Sequence, residues 1–478
     1  MHTSARAGRS AINQAERLRA LTSTERDLIR LANEPGFSRW LEQIKSTGGC
    51  EHPIYLSGHS ITRDASTGEI LRAYDTTQEP GSRMPVRCRN RRETRCGPCS
   101  RLHAGDTFQL VRAGLSGGKG IPERVRRNPR AFVTLTAPSF GPVHRATDDG
   151  GLCRPRRDGH GCEHGYRLGC NQQHATHDPR VGQPLCPACY DYVGHVLWHA
   201  HAGRLWNRWC HTVRRHLATA GGIKQTRLRE YLVVSFAKVA EYQRRGAVHF
   251  HAVVRLDGPD GPESQPPAWA TTEILSTVVR SAARSVEVQT AHSSATGERV
   301  IRWGTQIDVH SIHSDAFTDV TFTDSAVAAY VAKYITKSVA DAGGLDYRIT
   351  EYDSIRLAPV NGHLRALMAT CWRLGGLPEL EHLRLRAWAH TLGYRGHALT
   401  KSRRYSTTYG ALRTQRATYR MGALLVDDPS TETDSGWRYV GSGHTPGEAE
   451  IARGIAQDQV LNREGRQHLA ADSGACHP

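Results

Sequence analysis

Apolar and polar residues alternate along two neighbouring stretches, YLVVSFAKVAEYQ (231–243) and AVHFHAVVRLD (247–257). A period of two places successive side chains on opposite faces of a strand. The stretches flank Arg244-Arg245-Gly246, a three-residue loop whose closing glycine takes the left-handed conformation cheaply. The pattern predicts a hairpin in which Gln243 pairs with Ala247 and Glu241 lies opposite His249. Glu241, His249 and His251 then share one face, while Phe250 points through the sheet into the core. Two further apolar runs, RAFVTLTAP (130–138) and GTQIDVHSIH (304–313), also read as strands. Helical periodicity marks 190–217, through Val193, Val196, Leu197, Leu205 and Trp209, and then 271–289. It returns in TDSAVAAYVAKYITKSVADAGG (323–344), with Thr323 or Asp324 as cap and Gly343-Gly344 as stop. The order strand, helix, strand, strand, helix, strand, helix predicts an α+β fold, an antiparallel sheet with helices on one face.

Around this centre the pattern weakens. Residues 11–47 contain helix-like segments, which makes 1–84 an N-terminal helical region. The sheet domain spans 85–345, its first strand near 131–137, interrupted by polar, cysteine-rich segments at 88–99 and 153–189. Residues 346–420 form a basic C-terminal region. Residues 421–478 are more acidic and Gly/Ser-rich, and read as a flexible tail.

Charge narrows the partner. The formal net charge is +17 over 478 residues, which favours nucleic acid. Residues 84–130 hold twelve Arg/Lys against three Asp/Glu, and 384–420 hold nine with no acidic residue. Trp388, Tyr394, Tyr405, Tyr409 and Tyr419 are interleaved in the second stretch. Phosphates attract the charge and unpaired bases stack on rings, so Arg395, Lys401, Arg403, Arg404 and Arg413 are the expected DNA contacts. No run of 18 apolar residues is present, so no membrane span is expected. The opening MHTSARAGRSAINQ lacks the apolar core of a secretory signal, which points to the cytoplasm. GLSGGKG (114–120) lacks the P-loop pattern, and no nucleotide site is expected there.

In such a reducing compartment twelve cysteines argue for metal rather than disulfides. Eight of them cluster: Cys88, Cys96, Cys99, Cys153, Cys162, Cys170, Cys186 and Cys189. Eight thiolates suit two tetrahedral zinc ions, each filled and therefore structural, with His160, His164, His174 and His177 as substitute ligands. Cys50, Cys210, Cys371 and Cys476 stand alone and are not expected to bind metal.

The His-x-His pair is weak by itself. With 26 histidines, chance gives about 1.4 such pairs. The second pair, His199/His201, is read as packing or surface. Weight comes from AYVAKYITK, where Tyr330 and Tyr334 share a helix face, as do Lys333 and Lys337. A lone Tyr-x-x-x-Tyr is usually core, and Tyr405/Tyr409 repeats the spacing. Together, though, the elements define a reaction. Nearby ammonium groups favour a phenolate. A divalent cation on two imidazoles and a carboxylate polarises a phosphodiester. Attack then gives a covalent phosphotyrosine and a free 3′ hydroxyl.

At this point His249-Phe250-His251 resembles the His-hydrophobic-His signature of the HUH endonucleases. Tyr330-Val-Ala-Lys-Tyr334-Ile-Thr-Lys337 resembles the two-tyrosine motif of rolling-circle initiators, and FVTLTAPSFG (132–141) their first motif. The paired C-x-x-C segments, GGKGIPE, FAKVAEYQRRGAVHFHAVVRLDG and GYRGHALTKSRRYS are similar to replication initiators of actinobacterial plasmids and integrative elements, from roughly Arg87 to Arg420. The resemblance implies an HUH-type sheet with Mg²⁺ or Mn²⁺ on His249, His251 and Glu241. It implies Tyr334 as first nucleophile and Tyr330 as second, with Lys333 and Lys337 beside them, although the order could be reversed. Many plasmid initiators carry Glu where Tyr330 stands, so a second tyrosine step replaces hydrolysis here. The implied substrate is plasmid origin DNA, single-stranded or an extruded hairpin, with a host helicase and polymerase as partners. A conjugative relaxase or transposase would use the same chemistry. A zinc-stabilised, non-catalytic DNA-binding regulator would share the charge and cysteines but leave Glu241, the histidines and the tyrosines unexplained.

Overall fold

In the computed structural model, residues 21–147, 150–153, 161–313, 322–421 and 430–474 are described. The chain forms two compact units, Met1–His103 with Arg413–Pro478, and Ala104–Leu412.

The second unit contains the predicted hairpin. Its strands are β1 (Arg130–Leu135), β2 (Val233–Tyr242), β3 (Val248–Asp257), the short pair β4 (Glu287–Gln289) and β5 (Val300–Arg302), β6 (Ile307–Ser311) and β7 (Leu399–Lys401). The main sheet has the order β7-β2-β3-β1-β6, antiparallel throughout. Glu241 pairs with His249, as the alternation requires. The loop closes through Gln243 N–H to Ala247 O and Gly246 N–H to Gln243 O, both 2.8 Å, with Gly246 at φ +77°. A side chain there would also strike Leu392.

Helices cover both faces of this sheet, not one. The long helix α2 (Tyr192–Ala220) and α3 (Thr272–Ser285) pack on the face that carries Phe250, Ala252 and Val254. On the other face, Phe132, Val239 and Val253 pack against Val327, Val331 and Ile335 of α4 (Asp324–Ile335) and against Leu110 and Val111 of α1 (Gly97–Ser116). Two-sided burial explains the apolar density of VHFHAVVRL, since both faces of β3 need apolar residues.

Helix α4 is shorter than predicted. Thr323 caps it, accepting from Ala326 N–H. It stops at Ile335 because Ser338, in a reciprocal cap with Asp341, starts a separate 3-10 turn at Val339–Ala342. Gly343 at φ +86° ends that turn. The start of α4 is pinned by the buried Asp324, which accepts from Arg130 and Ser116.

Residues 346–412 do not form a separate basic region. Helix α5 (Gly362–Leu374) and the segment to Tyr394 join the Phe250-side core through Leu364, Leu367, Leu385, Leu392 and Tyr394. Strand β7 extends the sheet edge beside β2.

The first unit also departs from expectation. Residues 1–84 are not simply helical. Helices Ser23–Ala32 and Phe37–Ser46 precede an eleven-residue strand, Ile54–Asp64, which pairs with Ile70–Asp75 and Met84–Val86. The closing segment supplies a strand, Thr431–Ser442, antiparallel to Ile54–Asp64, and the helix Pro446–Gly474. Its Ala452 packs with Trp40 and Ile44. Among the described residues no helix is long and apolar enough to cross a membrane.

Candidate active site

Alternation along β2 and β3 delivers the three expected ligands to the α4 face. His249 Nε2 and His251 Nε2 lie 2.8 and 2.9 Å from Glu241 Oε2, and 3.1 Å from each other. Cis ligands of an octahedral ion at about 2.1 Å stand about 3 Å apart, so the three donors are spaced to hold a metal ion. His251 is buried and stacks on Phe132, with centroids 5.7 Å apart. On the other side of the ring, Nδ1 meets Thr134 Oγ1 at 3.0 Å, which fixes its orientation. Burial works against the Glu241 carboxylate, but hydrogen bonds from His249 and His251 hold its pKa at about 2. Burial pushes His251 below the usual histidine value, against the pull of Glu241.

Helix α4 brings both tyrosines to the same place. The Tyr330 hydroxyl lies 3.2 Å from His251 Nε2. Tyr334 sits beside it, ring centroids 4.5 Å apart, and 5.8 Å from the His251 ring. Lys337 Nζ is 4.7 Å and Lys333 Nζ 5.7 Å from the Tyr334 centroid. Burial, then the Glu241 charge, pushes the Tyr330 phenol well above its usual range. All seven residues of the expected site are therefore adjacent.

Two members were not singled out in the sequence. Thr134 lies in FVTLTAP, one strand from His251. Asp308, its neighbour on β6, adds negative charge near His251. Alternation in GTQIDVH places Asp308 on this face once strand order is known, and strand order was the missing signal.

The cysteines form three groups rather than two. Cys50, Cys88, Cys96 and Cys99 make one; His144, Cys153, Cys170 and His174 the second; Cys162, His164, Cys186 and Cys189 the third. Ligand atoms within each group lie within 4.8 Å of one another, and each group could hold zinc. Sulfurs around a tetrahedral zinc stand about 3.8 Å apart. Cys50 Sγ is 3.6 Å from Cys99 Sγ and 3.9 Å from Cys96 Sγ. In the second group, His174 Nδ1 meets the Asp178 carboxylate at 2.8 Å, the outer partner a metal-binding imidazole commonly has. Cys50, expected to stand alone, thus belongs to a group, and His144 was not foreseen. His177 is exposed and outside all three, while His160 and Cys476 fall outside the described residues. Cys210 and Cys371 join no group. His199 and His201 are buried packing residues: His199 bonds Leu392 O and Val248 N–H, and His201 bonds Leu197 O.

The basic stretch 384–420 is only partly available. Tyr394 and Tyr405 are buried, and the Tyr409 hydroxyl meets Thr107 at 2.7 Å. Tyr419 is exposed. Arg395 donates to the His382 and Leu383 carbonyls, and Lys401 to those of Ser402, Arg403 and Ser406. Arg403 and Arg404 are exposed, and Arg413 lies half-exposed on the helix Tyr409–Met421.

These features sit in a chain that a family model covers almost end to end. The model, described as RepSA, replication initiator protein of pSAM2, matches residues 36–457. The protein is therefore a replication initiator, and it belongs to the RepSA family. A curated replication initiator protein of Streptomyces ambofaciens is 46% identical over 460 residues, covering 93% of this chain and 95% of the relative. No solved structure matches the chain.

Proposed function

We propose that this initiator is an HUH-type enzyme that nicks one strand of its plasmid origin by tyrosine transesterification and so starts rolling-circle replication. The observation that carries the reading is the Tyr330 hydroxyl 3.2 Å from His251 Nε2, with Tyr334 against it, over a two-histidine, one-carboxylate group. A divalent cation held by His249, His251 and Glu241 would draw electron density from a non-bridging oxygen of the scissile phosphate.

Tyr334 is the first nucleophile in this reading, with the Lys333 and Lys337 ammonium groups beside its ring to meet the charge of an incoming phosphate. Its oxygen, having given its proton to solvent, bonds to phosphorus. The P–O3′ bond breaks, and the leaving oxygen takes a proton to become a 3′ hydroxyl. The 5′ phosphate remains on the tyrosine. Tyr330, one helical turn from Tyr334 and against His251, is placed to repeat the displacement on a second phosphodiester. A free 3′ hydroxyl attacking a phosphotyrosine rejoins the strand and releases the enzyme. Bond energy is conserved at each exchange, so no nucleotide hydrolysis is needed. The 3′ hydroxyl would prime a host polymerase, with a host helicase unwinding ahead.

The test is adduct formation on end-labelled single strands of the origin with Mg²⁺ or Mn²⁺. Wild type should give a covalent protein–DNA band, and the Tyr330→Phe/Tyr334→Phe double variant none. A double variant that still forms the adduct overturns the assignment.

A further inference from the structure

At the opposite end of β2 from Glu241 lies a pocket of about 610 Å³ whose lining carries no acidic residue. Arg214 and His211 reach it from α2, Arg229 from the 3-10 turn Gln225–Glu230, and Arg403 and Arg404 from the turn after β7. Two nearby carboxylates are already engaged: Glu230 pairs with Arg227 at 2.8 Å, and Asp257 with Arg255 at 2.7 Å. Arg404 is aimed by a bond to Pro259 O at 3.2 Å. Arg229 and Arg403 are exposed, and neither guanidinium bonds a carboxylate among the described residues. Four guanidinium groups in a lining without a carboxylate suit phosphate oxygens. None of the lining residues is Phe, Tyr or Trp, so the pocket has no platform on which unpaired bases could stack.

We propose that this pocket grips the phosphodiester backbone of the double-stranded arm of the origin, away from the nicked strand. The proposal rests on the nicking reading only for which end of the DNA lies at Glu241. Six residue steps along β2 take the chain from Ser235, on the pocket wall, to Glu241, a span of about 20 Å. At 3.4 Å per base step this is about six base pairs of duplex. The initiator thus holds its substrate at two points, with bases and scissile phosphate at the histidine end and the stem backbone at the arginine end.

The experiment measures binding of the full chain, without added divalent cation, to hairpins with one loop and stems of four to twelve base pairs. Affinity should step up as the stem passes about six base pairs. In the Arg229→Glu/Arg403→Glu variant the step should shrink by on the order of tenfold, and the salt slope should fall by about one per lost contact. Arg356→Glu, a charge reversal elsewhere in the same unit, should keep the step. An unchanged step in the double variant, or a step that follows single-strand length instead of stem length, overturns the proposal. Because no strand is cut in this assay, failure of the nicking reading would leave its outcome unaffected.

Discussion

The histidine–tyrosine site and the cysteine groups are both clusters of polar side chains, yet they are built in opposite ways. The first stands on regular elements: two adjacent strands joined by a three-residue loop, and one helix. Its spacing is set by periods of two and 3.6, and its ligands are partnered within the fold, Glu241 by both histidines and His251 by Thr134. The cysteine groups stand mostly on loops, where little besides the ligands holds the chain. The first group has only the half-buried Cys88 packed with Cys50, Cys96 and Cys99. The comparison teaches that one site is supported by the fold and that the other, when filled, supports it.

The largest effects should therefore follow loss of a cysteine ligand. Structural zinc in small sites contributes on the order of 10 kcal/mol of folding free energy. Elemental analysis of purified protein should find three zinc ions per chain, and Cys50→Ser should lower this to two. The same variant should abolish cooperative unfolding of the first unit. Cys210→Ser, outside every group, should change neither. A full zinc complement in Cys50→Ser would show that the first group holds no zinc.

Replacing a ligand at the other site should separate function from stability. His249→Ala should lower the rate of adduct formation by on the order of 10²–10³-fold, the several kcal/mol that a Lewis acid supplies to developing charge. Its thermal unfolding should stay close to wild type, since His249 is only half-buried, near the start of β3, in a sheet cored on both faces. A collapse in stability comparable to Cys50→Ser would erase the distinction between the two kinds of site.

The same contrast explains what could be read in the sequence. Glu241 opposite His249 was legible because three residues of loop leave one register, and Tyr330 with Tyr334 because four residues close one helical turn. Cys50 was not, because it meets Cys88 and Cys99 across 38 and 49 residues without intervening periodicity. His144 joins Cys153 through residues with no regular pattern at all. Strand Thr431–Ser442 was hidden for a related reason: its partner lies some 370 residues away and its side chains are almost all exposed, so burial never wrote an alternation into TETDSGWRYVGS. In the basic stretch, composition misled. Charge and aromatic rings are interleaved in sequence but separate in space, with Tyr394 and Tyr405 turned inward and Arg403 and Arg404 outward.

A smaller effect tests how far regular elements govern their side chains. Alternation in YLVVSFAKVAEYQ places Lys238 on the core face of β2, where an apolar residue is expected. The structure keeps it there, buried, with Nζ 4.0 Å from the Phe250 centroid and 5.0 Å from that of Trp206. Burial lowers its pKa from 10.5 to about 8. The unfolded chain then binds the proton more tightly than the fold does, so the penalty is full below pH 8 and fades as pH rises towards 10.5. At about 1.4 kcal/mol per unit, it amounts to about 3 kcal/mol at neutral pH. Stability of wild type should rise between pH 8 and 10 relative to Lys238→Met, and the variant should be the more stable protein at pH 7, less what the two ring contacts contribute. Denaturant unfolding at the two pH values measures both. If the two proteins keep parallel stabilities across that range, the ammonium is solvated after all, and the sheet tolerates the exception by letting water in rather than by holding a charge against its rings.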